Sequence, residues 1–306
     1  MRVVFFGTSE VGLPILKALL QHHEVVHVVT RPDAAVGRNK EIKPSPIAQL
    51  AETNLIPTSK PEKVKNNPEL LELLRNQHAD IFIVVSYGKI LPPELLSIPR
   101  LQTLNVHFSL LPKYRGPAPI QFALLNGDKS TGTTIFILDE QVDHGLILAS
   151  LEININPTDT FETLAPKLAD LSAHLLIETL PKYEAGTITP QIQNEADATF
   201  TQLISKEHGR IDLTMTADEI YNHWRAYTPW PGIWTTYQGE VLKILECEVV
   251  SPPETPHSFD ELTNIIPCNN HTFLRLLKVQ LAGKNPVSMQ DFLRGHQEFT
   301  PASLGQ

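Results

Sequence analysis

The chain has 306 residues, enough for one full-sized core and a smaller companion without stapling by disulfides or metals. Its two cysteines, Cys247 and Cys268, are too few for a disulfide framework and lack metal-ligand spacing, which points to a reducing cytoplasm. A formal net charge of −9 argues against a protein that coats nucleic acid indiscriminately, because phosphate binding requires clustered Lys and Arg.

The N-terminus MRVVFFGTSEVG has one basic residue followed by a short apolar run ending in glycine, and reads as a first strand rather than a leader. Nowhere do eighteen uninterrupted apolar residues occur, so no membrane span is expected. Residues 2–7, 24–30, 80–86 and 103–106 are strand-like, and residues 11–21 are amphipathic. This is the βαβ pattern of a mostly parallel sheet. The turn FFGTSEVG lacks G-x-G-x-x-G spacing and places Glu10 where a pyrophosphate would sit, which disfavours a nucleotide cofactor.

Residues 31–46, RPDAAVGRNKEIKPSP, form a polar loop longer than such connections usually are. Arg31, Arg38, Lys40 and Lys43 outnumber Asp33 and Glu41 there, and Lys113 with Arg115 makes a second small basic cluster; short basic runs are mostly solvated surface. Residues 160–185 carry Leu164, Leu168, Leu171, Leu175 and Leu176 at three- and four-residue spacing, the stripe of a core helix.

After the polar stretch 193–201 the character changes. One helix over 217–226 is followed by β-type runs at 233–237, 241–250 and 272–281. The expected architecture is α/β: a Rossmann-like, mostly parallel sheet domain over residues 1–200, followed by a small β-rich domain over residues 201–306.

Two segments can carry chemistry. In LNVHFSLLPKYRGPAPI, residues 104–120, Asn105 and His107 alternate along a strand end and therefore face one side, at the sheet edge where open α/β folds bind ligands. An amide donor beside an imidazole suits a carbonyl oxygen that gains negative charge. In TGTTIFILDEQVDHGLIL, residues 131–148, Asp139 and Asp143 flank a turn. Turn aspartates commonly accept backbone N–H bonds, and one of them is alternatively the proton acceptor that a nucleophilic amine requires.

Taken together, VVFFGTSEVG, GRNKEIKPSP, VVSYGKILP, N-x-H-x-S-L-L-P-x-x-R-G, D-x-x-x-D-x-G, SKEHGRIDL, PWPG and AGKNPVSMQDFL make the chain similar to the methionyl-tRNA formyltransferases over nearly its full length. The wider folate-dependent formyltransferase superfamily shares the Asn105, His107 and Ser109 to Pro112 pattern. The resemblance implies a Rossmann-like domain followed by a small β-barrel domain resembling an OB-fold. It also implies a catalytic trio of Asn105, His107 and Asp143, and a tetrahydrofolate site lined by Ser109, Leu110, Leu111 and Pro112. The co-substrate it implies is 10-formyltetrahydrofolate, without a metal, and the partner is initiator methionyl-tRNA, approached through Arg38, Lys40 and Lys43. A cytoplasmic monomer is the corresponding expectation.

This chain has His144, Gly145 and Leu146 where the family usually carries T-G-D after the aspartate. From Ser205 onward it has eight Lys and Arg against twelve Asp and Glu, an acidic balance for a domain expected to meet tRNA. The shared core run SLLPKYRG also fits an amino-sugar nucleotide as acceptor. A non-catalytic folate or RNA binder and a formyltetrahydrofolate hydrolase are the further alternatives.

Overall fold

The computed structural model describes residues 1–36, 41–251 and 264–305. The elements in chain order are β1 (Arg2–Gly7), α1 (Leu13–His22), β2 (Glu24–Val29), β3 (Ala34–Val36), β4 (Glu41–Lys43), α2 (Pro46–Thr53), β5 (Thr58–Ser59), α3 (Pro68–Arg75), β6 (Ile81–Val85), α4 (Pro93–Leu96), β7 (Thr103–His107), α5 (Pro119–Leu125), β8 (Ser130–Ile137), β9 (Ile147–Asn154) and α6 (Phe161–Glu184). They continue with α7 (Ala217–Tyr227), β10 (Ile233–Tyr237), β11 (Glu240–Val250), β12 (Ile265–Pro267), β13 (Phe273–Leu281), β14 (Val287–Ser288) and α8 (Met289–Gly295). Two compact units result: one of residues 1–119, 130–154 and 165–202, the other of residues 120–129, 155–164 and 203–306.

The first unit is built on a seven-stranded sheet in the order β5-β2-β1-β6-β7-β8-β9. Strands β5, β2, β1, β6 and β7 pair in parallel, and β8 and β9 close the other side antiparallel. All of residues 3–7 and Ile81–Val85 are buried, as strands covered on both faces must be, which is why they read as continuous apolar runs instead of alternating ones. Side-chain caps start the flanking helices: Ser45 Oγ accepts from Ala48 N at 3.0 Å, and Asn67 Oδ1 from Leu70 N at 3.0 Å. Chain order along the sheet reverses between β1 and β6, so the carboxyl ends of β1, β6 and β7 define the edge where an open α/β sheet leaves a crevice.

The stretch read as one long polar loop contains a pair of short strands instead. Strands β3 and β4 pair antiparallel, with Ala34 opposite Lys43 and Val36 opposite Glu41. Backbone groups need partners, and a connection this long can supply its own.

The second unit centres on an antiparallel sheet in which β10, β11, β13 and β12 follow one another and β14 also pairs with β13. Helix α7 begins in a capping box, where Thr216 Oγ1 accepts from Glu219 N at 3.2 Å and the Glu219 carboxylate accepts from Thr216 N at 2.7 Å. No helix of the described residues is long and apolar enough to cross a membrane.

Candidate active site

Strand β7 ends on the two residues that the alternation places together. Asn105 is half-buried and His107 is buried, the latter edge-on to Phe136 of the neighbouring strand β8. Register sets Asn105 against Phe136 and His107 against Thr134, so both stand at the junction of the parallel and antiparallel parts of the sheet.

Asp143 reaches them from the turn between β8 and β9. Its Oδ1 accepts from Asn105 Nδ2 at 3.4 Å, and its Oδ2 lies 3.6 Å from His107 Nδ1. The backbone N–H of Gly116 donates to the same Oδ2 at 2.7 Å. This donor fixes the position of Oδ2. The side chains of His107 and Asp143 are 7% and 13% exposed, which shields their interaction from solvent without closing the carboxylate off.

The tautomer of His107 follows from its partner. Nε2 lies 2.9 Å from the carbonyl oxygen of Tyr114. A carbonyl can only accept, so Nε2 carries the hydrogen, and in the neutral ring Nδ1 presents its lone pair toward Asp143.

Both loops that meet here hold backbones few residues adopt. Asp143 has φ +49° and Tyr114 φ +60°. The left-handed region is tolerable for Asp but unusual for a bulky aromatic residue. Two glycines make the approach feasible. A Cβ at Gly145 would collide with the Ile137 carbonyl oxygen, and one at Gly116 would stand 2.9 Å from the Thr201 carbonyl oxygen.

The turn after the trio has another composition than the T-G-D pattern, and its polar groups are paired differently. His144 Nδ1 lies 2.6 Å from Asp139 Oδ2, and its Nε2 lies 3.5 Å from Glu195 Oε1. Asp139 also accepts from Gln141 N at 2.9 Å, the backbone-capping duty of an ordinary turn aspartate. Leu146 is partly exposed.

Of the residues expected to line a folate site, Ser109 is fully buried with its hydroxyl donating to the Lys113 carbonyl at 2.6 Å, and Leu111 is buried with its N–H donating to Thr134 Oγ1 at 3.2 Å. Leu110 and Pro112 keep part of their surface accessible. Ser109 and Leu111 hold the shape of this segment, and the Leu110 side chain packs over Gly132 of β8. Lys43 is exposed and 2.9 Å from Glu41, whereas Arg38 and Lys40 lie outside the described residues. Arg115 is not the solvated surface charge that a short basic cluster suggests. It is 2% exposed, with Nη1 donating to Glu195 Oε2 at 2.9 Å and Nη2 to Glu195 Oε1 at 2.6 Å. That guanidinium holds the Glu195 carboxyl below the usual carboxylate range. Gln193 is legible in the sequence only as part of a polar stretch; no local pattern marks it, because its partners lie about fifty and eighty positions away.

Among the described residues no three His, Cys, Asp or Glu side chains gather as a metal-ligand group. A neutral amide donor and an imidazole, each within 3.6 Å of one carboxylate, are a set for stabilising an oxyanion and moving a proton.

Comparison with known proteins gives this geometry a context. A family model described as formyl transferase matches residues 1–180, and one described as formyl transferase, C-terminal domain, matches residues 203–297. The chain is 42% identical to the methionyl-tRNA formyltransferase of Caldanaerobacter subterraneus subsp. tengcongensis, over 97% of each chain. It is 40% identical to that of Acidobacterium capsulatum, over 100% of each. Among solved structures it is similar to WlaRD, a sugar 3N-formyl transferase in the presence of dTDP and 5-N-formyl-THF, with a TM-score of 0.67 at 18% identity, covering 93% of this chain and 99% of that one. It is likewise similar to the N-formyltransferase of Helicobacter canadensis in complex with folinic acid and dTDP-3-aminofucose, with a TM-score of 0.66 at 18% identity, covering 90% and 98%. At such identity these two structures speak for the fold alone.

Proposed function

Because the chain belongs to the formyl transferase family, we propose that it transfers the formyl group of 10-formyltetrahydrofolate to the α-amine of initiator methionyl-tRNA, with Asn105, His107 and Asp143 at the reacting centre. The product is N-formylmethionyl-tRNA, the species that starts translation. The single observation that carries the reading is the convergence of Asn105 and His107, each within 3.6 Å of the Asp143 carboxylate, in a chain 42% identical to a methionyl-tRNA formyltransferase over nearly its full length.

The unprotonated amine attacks the formyl carbon, a new C–N bond forms, and the carbonyl oxygen gains negative charge. Asn105 has two Nδ2 hydrogens. One donates to Asp143, and the other is free to donate to that oxygen. His107 holds the same oxygen from its Nδ1 side once protonated, with Asp143 beside it as counter-charge. As the amine nitrogen becomes cationic, Asp143 takes up its proton, directly or through water. The bond to the folate nitrogen then breaks, and that nitrogen leaves with a proton, so the overall exchange is formyl for hydrogen.

Ser109, Leu110, Leu111 and Pro112 form the wall against which the folate lies, and Arg38, Lys40 and Lys43 meet the tRNA backbone. A cytoplasmic monomer is the corresponding working form. The deciding assay supplies formyltetrahydrofolate together with either methionyl-tRNA or an amino-sugar nucleotide and follows the N-formyl product. Formyl-methionyl-tRNA is the expected product; formylation of the amino sugar alone, or free formate alone, would overturn the reading.

A further inference from the structure

Residues 191–201 contain a single short 3-10 turn, Glu195–Asp197, yet they are hydrogen-bonded into both loops of the site. At one end Gln191 and Ile147 exchange two backbone bonds of 2.8 Å, next to the turn that carries Asp143. At the other, Arg115 N donates to Thr199 O at 2.8 Å and Thr201 N donates to Arg115 O at 2.7 Å, beside Tyr114 and Gly116.

Gln193 joins the two. Its side chain is buried, and its Nε2 donates to the carbonyl oxygens of Asp143 at 3.0 Å and Gly145 at 2.8 Å. Its Oε1 accepts from Arg115 Nε at 3.0 Å and Nη2 at 2.8 Å. The amide therefore uses both N–H groups and its acceptor, and it is oriented unambiguously: a flipped amide would set its oxygen against two carbonyls and its N–H groups against a guanidinium. Glu195 fixes the far side of that guanidinium.

We propose that Gln193 is a positioning residue for Asp143, holding the backbone of the 143–145 turn so that the carboxylate stays on Asn105, His107 and the Gly116 N–H. Asp143 sits at φ +49°, a conformation that Asp tolerates at a modest cost, which the tether to Gln193 helps to offset. Its carbonyl is tethered to Gln193 while its carboxylate points into the site, so the tether and the reactive group are two ends of one residue. Release of the carbonyl lets the turn relax, and a shift of about 1 Å in a proton acceptor is enough to cost on the order of 100-fold in rate.

This inference rests on the proposed role of Asp143, and the test separates the two. Full-length Gln193→Met, Gln193→Glu, Asp143→Asn and Gln193→Met/Asp143→Asn proteins are compared with wild type for melting temperature, kcat, and KM for formyltetrahydrofolate and methionyl-tRNA. The methionine is near in size and makes no such bonds. The glutamate keeps an acceptor for Arg115 but sets an oxygen against the two carbonyls, which breaks the clamp on the turn while leaving the Arg115 contact, and it serves if the methionine variant does not fold. Both single variants at Gln193 are expected to lose kcat by on the order of 100-fold, with both KM values within about threefold of wild type. Adding Gln193→Met to Asp143→Asn is expected to change kcat little, since the group being positioned is gone. Wild-type kcat in the Gln193 variants beside a loss in Asp143→Asn would overturn the positioning role alone. Wild-type kcat in Asp143→Asn would overturn the catalytic role of Asp143, and this role of Gln193 with it. A loss that appears in KM, or that follows only the fraction of folded protein, would make Gln193 a structural residue.

Discussion

His107 Nδ1 stands 3.6 Å from Asp143 Oδ2, while the opposite ring nitrogen, Nε2, is committed to the Tyr114 carbonyl. The separation is longer than a formed hydrogen bond. Imidazole and carboxylate thus face each other across a short gap at the end of β7. Asn105 lies on the other carboxylate oxygen, so a carbonyl placed before the trio would meet the amide donor and the imidazole together.

Asn105→Ala is expected to lower turnover on the order of 10²–10³-fold with little change in folate affinity. One preorganised donor to an oxyanion is worth that much, whereas ground-state binding is spread over many contacts. Single-turnover rates beside equilibrium folate titration give the comparison, and near-normal turnover would remove the oxyanion role.

Asp143→Asn keeps the size and hydrogen-bonding capacity of the side chain but removes its ability to take a proton. Most transfer activity should be lost while the protein stays folded and binds folate. Asp139→Asn is the matched control in the same turn, since Asp139 only caps Gln141 N and meets His144. It is expected to cost about 1 kcal/mol of stability and leave turnover in place. An equal loss of rate in both variants would show the turn, not the carboxylate, to be responsible.

Gly145→Ala tests the close approach on which the turn depends. A methyl group there collides with the Ile137 carbonyl, and relief requires the turn to move away from β8. The expected cost is about 1–3 kcal/mol, read as a lower melting temperature, together with a fall in kcat as Asp143 is displaced. A stable and fully active Gly145→Ala protein would mean that the turn tolerates motion without consequence.

Neutralising Arg38, Lys40 and Lys43 together should weaken use of methionyl-tRNA and flatten its salt dependence while sparing transfer to small amines. Each phosphate contact releases counterions, so the slope of log affinity against log salt falls in magnitude by about 0.9 per lost contact on a duplex and about 0.7 on a single strand. Lys43 already has Glu41 2.9 Å away, but both side chains are well exposed, and such a pair yields readily to a polyanion. An unchanged salt slope would make this segment a connector only.

The amino-acid sequence by itself determines much of this protein. Continuous apolar runs mark strands buried on both faces, the leucine stripe marks α6, and strict alternation is enough to set Asn105 and His107 on one face of β7. These signals are legible because they are local: a strand or helix repeats every two or 3.6 residues, and a short window contains the whole pattern. Other features are decided only by tertiary structure. The short pairing of β3 with β4 inside an apparent loop, the proton on His107 Nε2, the burial of Arg115 and the hold of Gln193 on the Asp143 carbonyl have no local counterpart. Arg115 reads as surface because a charge in a short basic run usually is; Gln193 and Glu195, about eighty residues further on, supply the partners that let it be buried. A buried polar group must find its hydrogen bonds wherever the fold brings a partner, and that partner's position in the chain is set by how the whole sheet closes, which no window of sequence contains.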